Sequence, residues 1–285
     1  MNKIKYKFTI IPFLYFLKTR LKRKVQRISW IFVYFIPGFI LFNHFANLTE
    51  PENIFLLLIG ITLINYIYEN GYIQNDVKTI LKEKNPTLRL SFREIQIINS
   101  QWNLIIVFRL FIALILILLF FLVSKNFERA LYLICISVLL QLLYIVYNST
   151  RNIFNLILLL PINYIRFYGF IIPFVPADKL LEFTFSTALI YPLLKVLEFT
   201  KLPRYNMLKM GNLLGRIDNF RVFYYLFISI VSMANYFLFN ISFIYVYISI
   251  YYLIFRTVAL LLINKNNSSI KEELFKTRKD VYRSK

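Results

Sequence analysis

The residues best equipped for chemistry lie between Glu69 and Arg89, a polar stretch in an otherwise apolar chain. If the helix entering this stretch continues past Tyr72, then Asp76, Thr79 and Glu83 share one face at helical spacing. Two carboxylates and a hydroxyl converge there, with Asn75 beside them and Lys82 and Lys84 following. Pro86 should end the helix, because the residue before a proline is driven out of helical angles. Thr87 and Arg89 then fall in a turn facing the same region. Magnesium takes oxygen ligands and is usually held by one or two carboxylates together with substrate phosphates. Lysine and arginine bind the remaining phosphate oxygens. Asn75, Asp76 and Glu83, with the nearby bases, therefore read as a Mg²⁺–diphosphate site. The alternative is an ordinary solvated helix end in a charged loop.

Two further groups carry polar chemistry. In Glu198-Phe-Thr-Lys-Leu-Pro-Arg-Tyr-Asn206, the side chains of Lys201, Arg204 and Tyr205 could bind phosphate, with Glu198 as an acidic partner. The alternative is basic anchoring at a membrane surface. Arg166 lies within an apolar run together with Asn155 and Asn163. An arginine at membrane depth costs roughly 2.5–3.5 kcal/mol even on lenient insertion scales, so it should face a polar cavity or a partner. Arg109 and Arg256 are weaker cases of the same kind.

The elements that must position these residues are membrane helices. The chain is 59% hydrophobic and only 17% charged, where a soluble domain carries about 25%. Apolar runs recur near 30–47, 53–69, 102–123, 130–147, 153–175, 183–199, 221–239 and 242–263. Each approaches the roughly 20 residues that cross a hydrocarbon core, which predicts an all-α, polytopic transmembrane bundle of about eight spans. The net charge of +20 sits between the spans rather than in a nucleic-acid stripe, so no nucleic-acid partner is expected. Basic residues crowd segments 1–29, 70–101, 200–220 and the tail 264–285. That asymmetry predicts an integral protein of a bacterial inner membrane with both termini cytoplasmic. Residues 1–29 read as a basic interfacial segment, 30–263 as one transmembrane domain and 264–285 as a charged tail. A single cysteine, Cys135, and a single histidine, His44, exclude an internal disulfide and a histidine-rich metal site. Cys135 is expected to pack inertly.

With the residues set out, Tyr72-Ile-Gln-Asn75-Asp76-Val-Lys-Thr79-Ile-Leu-Lys-Glu83 resembles the first signature of the UbiA superfamily of intramembrane prenyltransferases, Asn-Asp-x-x-Asp-x-x-x-Asp. Thr79 and Glu83 stand where that signature has aspartates. Tyr72 before Asn75-Asp76, the stretch Pro86-Thr87-Leu88-Arg89, the Arg166–Gly169 spacing and Arg204-Tyr205 are most similar to the branch making decaprenyl-phosphoryl-phosphoribose. The superfamily usually has nine spans. The resemblance implies a Mg²⁺-dependent transferase for cell-envelope glycolipid or polysaccharide assembly. Its partners would be a polyprenyl phosphate and a phosphorylated donor such as 5-phosphoribose 1-diphosphate. Asn75, Asp76 and Glu83 would hold the metal. Tyr72, Lys82, Lys84, Arg89, Arg166, Lys201, Arg204 and Tyr205 would bind phosphates. Two other readings stay open: the same fold with an aromatic or other acceptor, and a non-catalytic lipid-binding or transport protein.

Overall fold

The computed structural model describes residues 6–80, 88–150, 152–202, 205, 207 and 212–265. Among the described residues the regular elements are all helical. They are α1 (Leu14–Thr19), α2 (Lys24–Ala46), α3 (Pro51–Thr79), α4 (Phe92–Ser100), α5 (Trp102–Ser124) and α6 (Phe127–Ser149). There follow α7 (Phe154–Tyr168), α8 (Leu180–Ile190), α9 (Pro192–Thr200), α10 (Ile217–Phe239) and α11 (Ile244–Lys265). Local signals set the ends. Pro51 and Pro192 occupy first helical turns, where a missing N–H costs nothing. Ser91 and Glu94 form a reciprocal capping box on α4. The Asn126 side chain caps α6 by accepting from the Arg129 N–H at 3.0 Å.

Among the described residues, seven helical segments are long and apolar enough to cross a membrane: α2, α3, α5, α6, the α8–α9 pair with its lead-in (Ala177–Thr200), α10 and α11. The chain is a polytopic integral membrane protein. The fifth expected span, 153–175, is the exception, because α7 has only 15 residues. At 1.5 Å per residue that is about 22 Å, short of the roughly 30 Å core. Its lower end is tied to the end of α6, where the Asn155 amide donates to the Tyr147 carbonyl at 2.9 Å. Beyond α7 a short 3₁₀ turn, Ile172–Phe174, brings the Phe174 ring onto Phe42 at 4.6 Å and Phe120 at 6.1 Å, near the far ends of α2 and α5. Helix and turn together run from one end of the bundle to the other.

α3 is the central helix, buried on most of its faces, whereas α5 turns Val107, Leu110, Phe111, Leu114 and Leu118 outward. In a membrane protein such a surface is the lipid face. Cys135 is exposed on α6 rather than packed inside. The chain forms two compact units, Met1–Met207 and Leu208–Lys285. The second unit contains the α10–α11 hairpin, in which Tyr225 stacks on Tyr252 at 4.9 Å.

In the N-terminal segment Thr9, Tyr15 and Phe16 are buried against the bundle. Tyr66 of α3 donates to the Ile10 carbonyl at 2.7 Å. The chain then turns into α1 through Phe13, held at φ 65°, a left-handed angle that costs a non-glycine residue of order 1–3 kcal/mol. The Phe16 N–H donates to the Glu69 carboxylate at 2.9 Å, so a side chain of α3 caps α1. Apolar packing completes the attachment, with Tyr15, Ile73, Val77, Ile95 and Ile98 in one cluster.

Candidate anion-binding site

The final turn of α3, Asn75–Thr79, is π-helical, a local widening that recurs at functional sites. It directs Asp76 inward, where the residue is 1% exposed. Oδ2 of Asp76 accepts from the Tyr15 phenol at 2.9 Å and from Arg20 Nη1 at 2.8 Å. Oδ1 accepts from Arg20 Nη2 at 3.0 Å, Arg89 Nη1 at 3.2 Å and Asn75 Nδ2 at 3.3 Å. The Arg20 contact is the two-pronged guanidinium–carboxylate pair, the strongest ion-pair geometry. Burial and the Asp76 charge push the Tyr15 phenol well above its ordinary pKa, which keeps it a proton donor. Burial works against the Arg20 charge, but Asp76 outweighs it and raises the group. Arg89 is lowered, first by burial and then by Arg20 beside it.

Among the described residues, Asp76 and Asn75 are not arranged as open metal ligands. The two carboxylate oxygens of Asp76 offer about four lone-pair directions, and five donors already point at them. Two guanidinium charges would also face the ion. At 4 Å and an effective dielectric of about 20, each unit pair repels by about 4 kcal/mol, and a divalent ion doubles that. Asn75 turns its amide N–H toward Asp76 instead of offering an oxygen to the same point. Thr79 is buried, with its hydroxyl directed at the Gln74 carbonyl at 3.5 Å rather than at Asp76. Among the described residues no group of three or more His, Cys, Asp or Glu side chains is placed to hold a metal. Glu83, Lys82, Lys84 and Arg204 lie outside the described residues.

Arg166 fits an anion site better. It lies in the last turn of α7. Its carbonyl accepts from the Tyr34 phenol at 3.0 Å, and the Tyr34 hydroxyl oxygen in turn accepts from Asn65 Nδ2 at 2.7 Å. The backbone is thus pinned at the level of Asn65, while the side chain reaches along α3 toward Tyr72. Nη1 donates to the Tyr72 oxygen at 3.1 Å. The guanidinium carbon lies 4.2 Å from the Tyr68 ring centre and 4.8 Å from that of Phe16. The residue is 8% exposed, forms no ion pair with any described carboxylate, and leaves Nε without a hydrogen-bond partner. Arg20 covers the ring of the same Tyr72 at 4.1 Å. Tyr72 therefore stands between two guanidinium groups, contacting one through its hydroxyl and the other through its ring.

Behind this cluster lies a second buried pair. Arg109 of α5 donates to Glu69 at 3.3 Å, to the Thr9 carbonyl at 2.7 Å, and to the Tyr66 carbonyl and the Asn70 amide oxygen. The Glu69–Arg109 pair fixes α1, which presents Tyr15 and Arg20 to Asp76. A glycine makes room alongside: a Cβ on Gly71 would fall 2.1 Å from the Tyr144 ring, which packs edge-on against Tyr68 at 5.0 Å.

Of the residues expected in the site, Tyr72, Asn75, Asp76, Arg89 and Arg166 come together. Lys201 is half-buried at the end of α9 and Tyr205 is buried. Sequence reasoning missed Tyr15, Arg20 and Tyr68. Arg20 was hidden among the many bases of segment 1–29, and no signal set it apart. The Glu69–Arg109 pair did carry a signal, one acid and one base each inside an apolar run.

No protein-family model matches the chain, and no curated protein or solved structure matches it.

Proposed function

We propose that this integral membrane protein binds a polyprenyl phosphate through Arg166, Arg20 and Arg89 and transfers a group to it from a diphosphate-activated donor. The observation that carries the reading is Arg166, a buried guanidinium with no described counter-ion, set against Tyr72 beside a second guanidinium. A buried charge without a partner is costly, and a phosphate is the planar fork's natural complement. The lipid-facing helices around the site suit an apolar chain. The UbiA likeness supplies the donor class, 5-phosphoribose 1-diphosphate, and the asymmetry of basic residues supports a bacterial inner membrane with a cytoplasmic site.

In that reaction a lipid phosphate oxygen attacks C1 of the donor. The new C–O bond forms as the C1–diphosphate bond breaks, and diphosphate leaves with the bonding pair; nothing is oxidised or reduced. The guanidinium groups would hold the nucleophilic phosphate and balance charge on the leaving group. A second reading, lipid-phosphate binding without transfer, is favoured by one observation: both oxygens of Asp76 are fully engaged and Thr79 adds no carboxylate. Diphosphate release by the purified protein, given a polyprenyl phosphate and 5-phosphoribose 1-diphosphate, separates the two. Release that disappears in Arg166→Gln supports transfer. Binding with no release from any diphosphate donor leaves the binding reading alone.

A further inference from the structure

The way Asp76 is held bears on how the ligand's charge is met, and this inference rests on the lipid-phosphate reading above. Three guanidinium groups, Arg20, Arg89 and Arg166, stand against the single carboxylate of Asp76, which leaves the described cluster at +2. A phosphate monoester at neutral pH carries about −1.5 to −2 and three acceptor oxygens. The two charges match without any further cation. Asp76 cannot take a divalent ion while Arg20 grips it with both nitrogens and Tyr15 and Arg89 fill the remaining directions. Arg166, by contrast, keeps Nε open in a buried setting.

We propose that the site recognises a phosphate monoester headgroup by guanidinium groups alone, with no magnesium ion bridging protein and ligand. Asp76 acts as the internal anchor that orients Arg20 and Arg89, and Arg166 supplies the contact that is unmade in the free protein. The role given by family likeness to a metal thus falls to arginine here. Added Mg²⁺ gains no ligand set among these residues.

The test measures binding of geranylgeranyl phosphate to the full chain in nanodiscs of neutral lipid, once with EDTA and once with millimolar Mg²⁺. Geranylgeraniol and inorganic phosphate serve as comparison ligands. The expected result is the same affinity in both buffers, with the alcohol weaker by about tenfold or more, as loss of charge-assisted hydrogen bonds predicts. Binding lost in EDTA and restored by Mg²⁺ overturns the inference while leaving the lipid-phosphate reading in place. Equal binding of phosphate and alcohol sinks both. Inorganic phosphate competing as well as the prenyl phosphate reassigns the site to a soluble anion and overturns the lipid assignment. These comparisons need only the wild-type chain. Arg166→Gln should weaken the phosphate about tenfold and leave the alcohol unchanged, and Arg166→Lys, which keeps the charge, should recover part of the loss.

Discussion

Glu69→Leu should loosen the whole N-terminal segment. Glu69 is 1% exposed and accepts from Arg109 at 3.3 Å and from the Phe16 N–H at 2.9 Å. Its removal leaves the fully buried Arg109 charge with carbonyl partners only. Breaking one side of a buried ion pair costs about 3–5 kcal/mol. The orphaned Phe16 N–H adds a cost of about 1–3 kcal/mol. Because the carbonyls of Thr9 and Tyr66 still hold Arg109, the loss should fall near the lower end, about 4 kcal/mol in all. Glu69→Leu combined with Arg109→Met removes both charges and should recover about 2 kcal/mol or more relative to additivity. Trp30 reports on the segment directly, since it packs on Phe13 at 6.2 Å and Phe16 at 5.8 Å. Fluorescence-monitored unfolding in mild detergent should show an early transition in the single variant that the double variant largely removes. A single variant as stable as wild type, or a double variant equal to the sum of the singles, would refute the assignment of Glu69–Arg109 as the clamp on α1.

Three other outcomes follow from the same geometry. Gly71→Ala places a methyl group within 2.4 Å of three atoms of the Tyr144 ring, so Tyr144 must leave its position against Tyr68; stability should fall by about 1–3 kcal/mol, the range for an overpacked core, in the same unfolding assay. Ser91→Ala removes the cap of α4 and should cost about 1 kcal/mol locally, read as faster amide exchange across Phe92–Ile95. Burial would raise the Glu94 carboxyl, but the hydrogen bonds from Lys18 and Ser91 outweigh it and hold the group below its ordinary pKa. A depressed folded-state pKa means that this contribution is present above the unfolded value and is lost as pH falls through the folded one. The capping box should therefore exchange slowly at neutral pH and open only on the acid side of the ordinary carboxylate range, whereas exchange independent of acid would contradict the role of Glu94.

Much of the bundle was legible because lipid imposes length and apolarity on each helix, as α3, α5 and α6 illustrate. α7 broke the pattern. Its apolar run looks continuous, but the chain changes from helix to turns after Tyr168, where Phe170 packs closely on Gly60. That contact is tertiary and invisible in a one-dimensional pattern. In the site, Arg166 stood out because a polar group in an apolar run needs a partner; Asp76 stood out by carboxylate spacing in a polar stretch, and Tyr72 only through the family likeness. What the sequence did not reveal is which partners they find. Reading Asp76 as a metal ligand followed from counting carboxylates at helical spacing. The π turn at Asn75–Thr79 and the return of Arg20 from a segment 56 residues away change that chemistry. The separation in sequence between Arg20 and Asp76 is why composition favoured a basic interfacial segment over a buried clamp.

The most direct measurement is native mass spectrometry of the protein released from its own membrane, wild type beside Arg166→Gln. A phosphorylated polyprenyl lipid retained by the wild type and lost from the variant is the predicted result. Equal retention by both, or retention only of lipids without a phosphate monoester, would contradict the assignment of the Arg166–Tyr72–Arg20 cluster as a lipid-phosphate site.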